Sequence, residues 1–178
     1  MLTRLTVCGY IGLARLIELA FSRRNIAGQE GAVEGAWSRR TFPLVVLLHT
    51  VVGLGTLALG GRPRRPWLLL LALLQPLRYW TLMTLGRRWN ARGAVAPDLQ
   101  VATNGPYAYV RHPNYTVVIL ELLALPMAFG LSRLALFAGA ANALLLLVRI
   151  RDEEALLRPL PGYREHFDRL PRFLPRLF

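Results

Sequence analysis

With 178 residues, 54% of them hydrophobic, and a mean hydropathy of +0.36, the chain has the length of one domain and a composition outside the ordinary soluble class. Its net charge of +12 comes from 22 basic residues, every one an arginine, against 10 acidic ones. These arginines sit in short clusters beside apolar runs, with no basic domain carrying aromatic platforms, which excludes a nucleic-acid partner and favours anionic lipid headgroups and membrane topology as their reason. The single cysteine, Cys8, excludes an intramolecular disulfide and a cysteine-rich zinc site; it is given no role, and no metal is expected.

A window of about 19 residues, the length that crosses a hydrocarbon core as a helix, finds five apolar stretches. They run roughly from Leu2 to Phe21, Phe42 to Gly60, Pro66 to Leu85, Asn114 to Gly130 and Arg133 to Ile150. The expected fold class is therefore all-α and integral to the membrane, with about five transmembrane helices, a C-terminal helical hairpin and an interfacial tail helix. One domain is expected over 1–178: spans one to three and their connecting loop in 1–104, and a motif region with spans four, five and the tail in 105–178.

The first span holds Arg15 and Glu18 and has no small-x-small cleavage site, so it reads as a retained span. Arg15 and Glu18 can neutralise each other on one helix face. His49, in the second span, reads as a hydrogen-bonded packing residue. Arg78 and Glu121 lie inside spans three and four and need partners; they either line an acceptor cavity or form a structural ion pair. Trp80 and Trp89 read as interface anchors. Spans four and five are short and joined around Leu131 and Ser132, so they are expected to form an antiparallel hairpin. The tail after Ile150 is broken by Pro159 and Pro161 and closes with Pro171-Arg172-Phe173-Leu174-Pro175. It is expected to lie on the membrane surface and fold back over the loop before span four, with Tyr163 and Phe167 as packing groups. The last residues, through Arg176-Leu177-Phe178, carry no prenylation signal, so the chain is not expected to be a lipidated substrate itself.

Five spans put the loops after spans one and three and the tail on one side of the bilayer. Arg23, Arg24, Arg39, Arg40, Arg87, Arg88, Arg92 and Arg111 lie there with seven more from Arg149 to Arg176; Arg4, Arg62, Arg64, Arg65 and Arg133 lie opposite. The positive-inside rule places the rich side in the cytoplasm.

That side carries two polar motifs. In the first, Gly105-Pro106-Tyr107-Ala108-Tyr109-Val110-Arg111-His112-Pro113-Asn114-Tyr115, proline suits a first helical turn and disfavours helix in the residue before it, so Pro113 should open span four and His112 should precede it. Free backbone amides near Asn114, Tyr115 and Thr116 would favour a carboxylate or phosphate. Gly105-Pro106 is a turn that brings Tyr107 back toward His112 and Tyr115, making a small pocket for a charged, aromatic-stacking ligand. In the second, Arg149 and Glu153 share one helix face. A guanidinium there can hold an oxyanion, and a carboxylate a cation or ribose hydroxyls. Asp152, Glu153 and Glu154 on their own would read as a solvated helix segment.

These two motifs, with Gly162-Tyr163, resemble the isoprenylcysteine carboxyl methyltransferase family of integral-membrane, S-adenosylmethionine-dependent enzymes. The resemblance covers about the C-terminal half and implies a donor site of Leu99, Gln100, Val101, Ala102, Tyr107, His112, Pro113, Asn114, Tyr115 and Glu153, with Arg149 contacting the acceptor. The N-terminal half, in Arg15-Leu16-Ile17-Glu18-Leu19, Arg23-Arg24-Asn25, Leu47-Leu48-His49, Leu77-Arg78-Tyr79-Trp80 and Gly86-Arg87-Arg88-Trp89-Asn90, is similar to a bacterial branch of that family associated with type III polyketide synthases, which methylates alkylpyrones or alkylresorcinols.

The function expected from this resemblance is an O-methyltransferase of the bacterial cytoplasmic membrane, its site facing the cytoplasm, that takes a lipophilic acceptor with an acidic oxygen from the bilayer. The reaction would be an in-line displacement at a sulfonium methyl group, with Arg149, Glu153 and His112 as its catalytic residues and neither metal nor covalent intermediate. An ionised carboxylate or enol needs no general base; a phenol would, and His112 is then the candidate. Three other readings stay open: a phospholipid N-methyltransferase, an NADPH-dependent sterol-type reductase with a similar His-Pro-Asn-Tyr arrangement, and a noncatalytic membrane scaffold.

Overall fold

The computed structural model describes residues 1–175; Arg176, Leu177 and Phe178, and with them the expectations on the last tail arginine and on prenylation, lie outside the described residues. In chain order the elements are α1 (Leu2–Ala27), β1 (Val33–Glu34), α2 (Ala36–Leu59), α3 (Arg65–Leu85), β2 (Ala94–Val95), α4 (Pro113–Met127), α5 (Ser132–Leu157) and α6 (Tyr163–Phe167). Single 3₁₀ turns cover Gly86–Arg88 and Gly105–Ala108.

The protein is an all-α membrane protein: α1, α2, α3 and α5 are each long and apolar enough to cross a bilayer. Span four differs from expectation. Its helix has 15 residues, about 22 Å of rise against a hydrocarbon core of about 30 Å, and it stops at Met127. The carbonyls of Ala128 and Phe129 then accept the amides of Arg64 and Gly61, which seals this end of the bundle with backbone pairs. Span five is longer than expected, running unbroken to Leu157, so Arg149 and the three acidic residues all lie on one helix. α4 and α5 do form the expected hairpin. The packed core joins α2, α3, α4 and α5 through Leu48, Val52, Leu71, Leu125 and Phe129, with fully buried Ala124, Ala128 and Ala138 letting the backbones approach. α1 lies against this core with Leu2, Leu13, Leu16 and Phe21 turned outward, a face suited to lipid.

The charges inside the spans are collected into one cluster. Arg78 donates to both oxygens of Glu18, at 2.7 and 2.6 Å, and reaches Glu121 at 3.4 Å. Arg15 lies 3.0 Å from Glu18 and 3.6 Å from Glu121, and Gln75 donates to the other Glu121 oxygen at 2.8 Å. Two guanidiniums and two carboxylates from α1, α3 and α4 thus cancel, which is how ionised groups persist at membrane depth. The structural ion pair is the reading that holds for Glu121; Arg78, Arg15 and Glu18 also back onto a cavity wall.

At the opposite end the loops interlock. β1 pairs antiparallel with β2, Val33 opposite Val95, tying the α1–α2 loop to the α3–α4 loop. Asn25 donates to the Gly86 and Trp89 carbonyls, Gln29 to that of Arg87, and the Ser22 hydroxyl accepts the Ala91 amide. The start of α2 is capped from across the bundle: the Ser38 amide, in its first turn, donates to Asp152 of α5 at 2.7 Å. This anchor explains why α2 begins at Ala36, ahead of its apolar stretch. Gly35 precedes it because a Cβ there would collide with the Asp152 carboxylate. Asp152→Ala is expected to lower stability by about 1 kcal/mol through loss of this cap, read as a lower thermal midpoint of the detergent-solubilised protein.

Candidate active site

At this end of the bundle, the three consecutive acidic residues of α5 have three different partners, because successive helical positions point about 100° apart. Asp152 caps α2. Glu153 accepts the Tyr115 hydroxyl at 2.5 Å. Glu154, 6% exposed, accepts the His112 Nε2 at 3.1 Å and both arms of Arg172 at 2.9 and 2.7 Å.

His112 caps α4 and Pro113 opens it, as the proline rule requires. The Thr116 amide is already taken by the His112 carbonyl, so the free amides expected there reduce to those ahead of it. The His112 and Tyr115 rings face each other with centroids 5.3 Å apart. The Gly105–Ala108 turn needs Gly105: its φ is 57°, and a Cβ would lie 2.5 Å from the Thr84 hydroxyl. It carries Tyr107 inward, where burial first and then the Glu153 carboxylate hold its hydroxyl well above the ordinary tyrosine value. Tyr163, buried beside Phe167 in α6, is pushed up to about 12, by burial first and then by Glu154 and Glu153. Both phenols are neutral hydrogen-bonding groups near neutral pH.

The tail folds back over this region as expected. The Arg111 and His112 amides donate to the carbonyls of Pro171 and Arg172, both at 2.9 Å, and the Thr116 hydroxyl donates to that of Phe173 at 3.0 Å. The bond to Glu154 holds the Arg172 guanidinium above its ordinary value.

Two cavities meet at Trp89, Ala91, Asn114 and Tyr115. The smaller, about 110 Å³, is lined by Leu99, Gln100, Val101, Ala102, Tyr107, His112, Asn114, Tyr115 and Glu153, together with Trp89, Tyr163 and Phe167. Nine of the ten residues expected to hold the donor therefore surround one space; Pro113, buried at the helix start, is not part of the wall. The larger, about 580 Å³, runs between α1 and α2 from Leu5 and Leu57 to Arg149 and is mostly apolar. Trp89, Ala91, Asn114 and Tyr115 line both, and form the partition between them. Arg149 belongs to the larger cavity, 3% exposed, its guanidinium donating to the Ser38 carbonyl at 3.3 Å and the Ala91 carbonyl at 2.8 Å. His49 lines the same cavity and is hydrogen-bonded through Nδ1 to the Val45 carbonyl at 2.8 Å, as its packing role requires.

Sequence reasoning placed Trp89 at the membrane interface; it is instead buried, 6% exposed, in the partition. Tyr163 and Phe167 pack as expected, in a buried cluster with Ala102 and Tyr107, and both also stand in the wall of the smaller cavity. The proximity of Trp89 to the Gly86-Arg87-Arg88 turn gave no signal of this, since the turn that buries it is held by Asn25, 64 residues away.

The fold and site define a membrane-embedded protein with two chambers sharing one wall, the smaller bordered by residues of both polar motifs and the larger mostly apolar. Residues 67–159 match the model of the isoprenylcysteine carboxyl methyltransferase (ICMT) family. The chain is 34% identical over 153 residues to the uncharacterized protein YpbQ of Bacillus subtilis, covering 81% of this chain and 90% of that one. It is also 35% identical over 101 residues to the nickel-cobalt-cadmium resistance protein NccN of Alcaligenes xylosoxydans xylosoxydans, covering 54% of this chain and 46% of that one. The chain belongs to the isoprenylcysteine carboxyl methyltransferase family and is an integral-membrane methyltransferase.

Proposed function

We propose that the protein is an S-adenosylmethionine-dependent O-methyltransferase of the cytoplasmic membrane, and that its acceptor is a lipophilic molecule with an acidic oxygen, of the isoprenylcysteine or the alkylpyrone and alkylresorcinol kind. The observation that carries this reading is the shared wall: a chamber bordered by both polar motifs and a larger, mostly apolar chamber meet where Trp89, Ala91, Asn114 and Tyr115 line both. Methyl transfer between a water-soluble donor and a lipid needs that arrangement.

The residues of the smaller chamber fit the donor chemically. Asn114 Oδ1, Trp89 Nε1 and the Tyr163 hydroxyl are buried with no hydrogen-bond partner among the described residues. Each such group costs about 1–3 kcal/mol unless a ligand supplies the missing partner. Glu153 uses one carboxylate oxygen for Tyr115, which leaves the other for a ribose hydroxyl or an ammonium group. At about 110 Å³ the chamber is below the roughly 300–1,000 Å³ of most cofactor sites, so entry requires its wall, such as the 99–102 stretch, to move outward. When bound, S-adenosylmethionine would supply a methyl group activated by its sulfonium charge.

The chain's own contribution is placement. Glu153 and the buried tyrosines hold the donor side; Glu154 fixes the His112 ring by accepting its Nε2, which sets His112 in the wall of the donor chamber and leaves Nδ1 as its free ring nitrogen among the described residues, the base a phenolic acceptor would need. Arg149 has donors to spare beyond its two carbonyl bonds, and orients an anionic oxygen at the inner end of the apolar chamber. The partition excludes water from the line between the two. An anionic acceptor suits Arg149 better than the cationic amine of a phospholipid. The arginine-rich end, which carries both motifs, faces the cytoplasm on this reading.

The test is incorporation of label from methyl-labelled S-adenosylmethionine into lipids extracted from a bacterial host, with the purified protein in nanodiscs. Labelled methyl esters or ethers are the expected product. Labelled amines, or binding of NADPH with none of S-adenosylhomocysteine, would refute the reading.

A further inference from the structure

The wall of the apolar chamber holds three neutral polar side chains outside the ion cluster and the proposed donor site, and two of them, His49 and Thr50, are bonded to carbonyls of their own helix. Asn142 lies in the middle of α5, in the apolar run Ala140-Ala141-Asn142-Ala143-Leu144-Leu145-Leu146, and is 2% exposed. No group among the described residues hydrogen-bonds its amide, and it borders the 580 Å³ cavity. The amide opens onto this mostly apolar cavity, so a bound molecule that hydrogen-bonds to it gains over one that covers it with apolar chain.

Asn142, Leu146 and Arg149 all line the cavity and follow the i, i+4, i+7 spacing of a single helix face. The rise between Asn142 and Arg149 is about 10.5 Å. A molecule whose acidic oxygen sits at Arg149 therefore passes Asn142 about 10 Å further along its chain. At about 1.2 Å per bond, the projection of an extended chain, this is roughly eight or nine bonds from the reacting oxygen. An amide both donates and accepts, so a hydroxyl, keto or amide group on the acceptor chain would satisfy it.

We propose that Asn142 is a specificity-determining residue, and that the preferred acceptor is a lipid acid carrying a hydrogen-bonding oxygen or amide about eight or nine bonds from the oxygen to be methylated. This deepens the methyltransferase reading and rests on it for the word acceptor. The wall reads the position of the group as well as its presence, because its other polar side chains beyond the shared partition are engaged: His49 and Thr50 bond the Val45 and Val46 carbonyls of their own helix, and Arg15 and Arg78 pair with Glu18.

Equilibrium binding of radiolabelled hexadecanoic acid and of its 8-hydroxy and 16-hydroxy derivatives to the full chain in nanodiscs tests this. The 8-hydroxy acid is expected to bind on the order of tenfold more tightly than both others, and Asn142→Leu, which keeps the branched shape but not the amide, is expected to abolish that preference. The 16-hydroxy acid controls for solubility. Equal binding of the three acids, no saturable binding, or a preference that survives Asn142→Leu would overturn the proposal. Methyl-ester formation in the same samples reads the methyltransferase function separately: a positional preference without ester would sink that function and leave Asn142 as a selector of lipid.

Discussion

Glu153→Gln is expected to weaken S-adenosylhomocysteine binding by about 10- to 100-fold, the range for losing a hydrogen bond to a charged group. The substitution keeps the side-chain volume and an oxygen for the Tyr115 hydroxyl, so the partition should stay in place and the thermal midpoint should move little. What is lost is the negative charge that faces the donor chamber. Tyr115→Phe gives the complementary result: it frees the second carboxylate oxygen without removing the charge, so its effect on donor binding should be the smaller of the two. Calorimetric titration of the two variants reads the difference, and equal, unimpaired binding would show that Glu153 does not touch the donor.

Arg149→Lys is expected to lower kcat/KM for the acceptor by about 100-fold while changing the donor KM by no more than about threefold. Arg149 holds the carbonyls of Ser38 and Ala91 with separate nitrogens of a planar fork, and a lysine cannot hold both and still present a donor to the acceptor. The two carbonyls belong to the start of α2 and to the partition loop, so the variant also loosens that corner. A purely structural role would depress donor and acceptor parameters together. The split between them is the signature of acceptor positioning, and steady-state kinetics with each substrate varied in turn measures it.

The sequence was most legible where chemistry is costly. Long apolar runs can only be spans, and Pro113 after His112 can only open a helix, so α1 to α5 and the start of α4 followed from local rules. The residues expected to hold a donor came from motif resemblance, and nine of those ten line one cavity. What stayed hidden depends on pairs far apart in the chain. Nothing local says that Asp152 caps a helix 114 residues earlier, or that Arg15, Glu18, Arg78 and Glu121 form one neutral cluster. β1 and β2 have two residues each, too few for any alternation to register. Trp89 reads as an interface anchor by type, and only the loop contacts from Asn25 and Arg149 turn it into a partition. Asn142 carries no motif at all; its meaning comes from the cavity it borders.

The most direct test of the two-chamber account is an experimental structure of the protein with S-adenosylhomocysteine and a long-chain carboxylic acid bound together. The account predicts the nucleoside compound against Tyr107, Tyr115 and Glu153, the carboxylate beside Arg149, and the sulfur and a carboxylate oxygen in direct line through an opening beside Tyr115 and Asn114. Finding the nucleoside in the apolar chamber between α1 and α2, or the acid's carboxylate remote from Arg149, would contradict it.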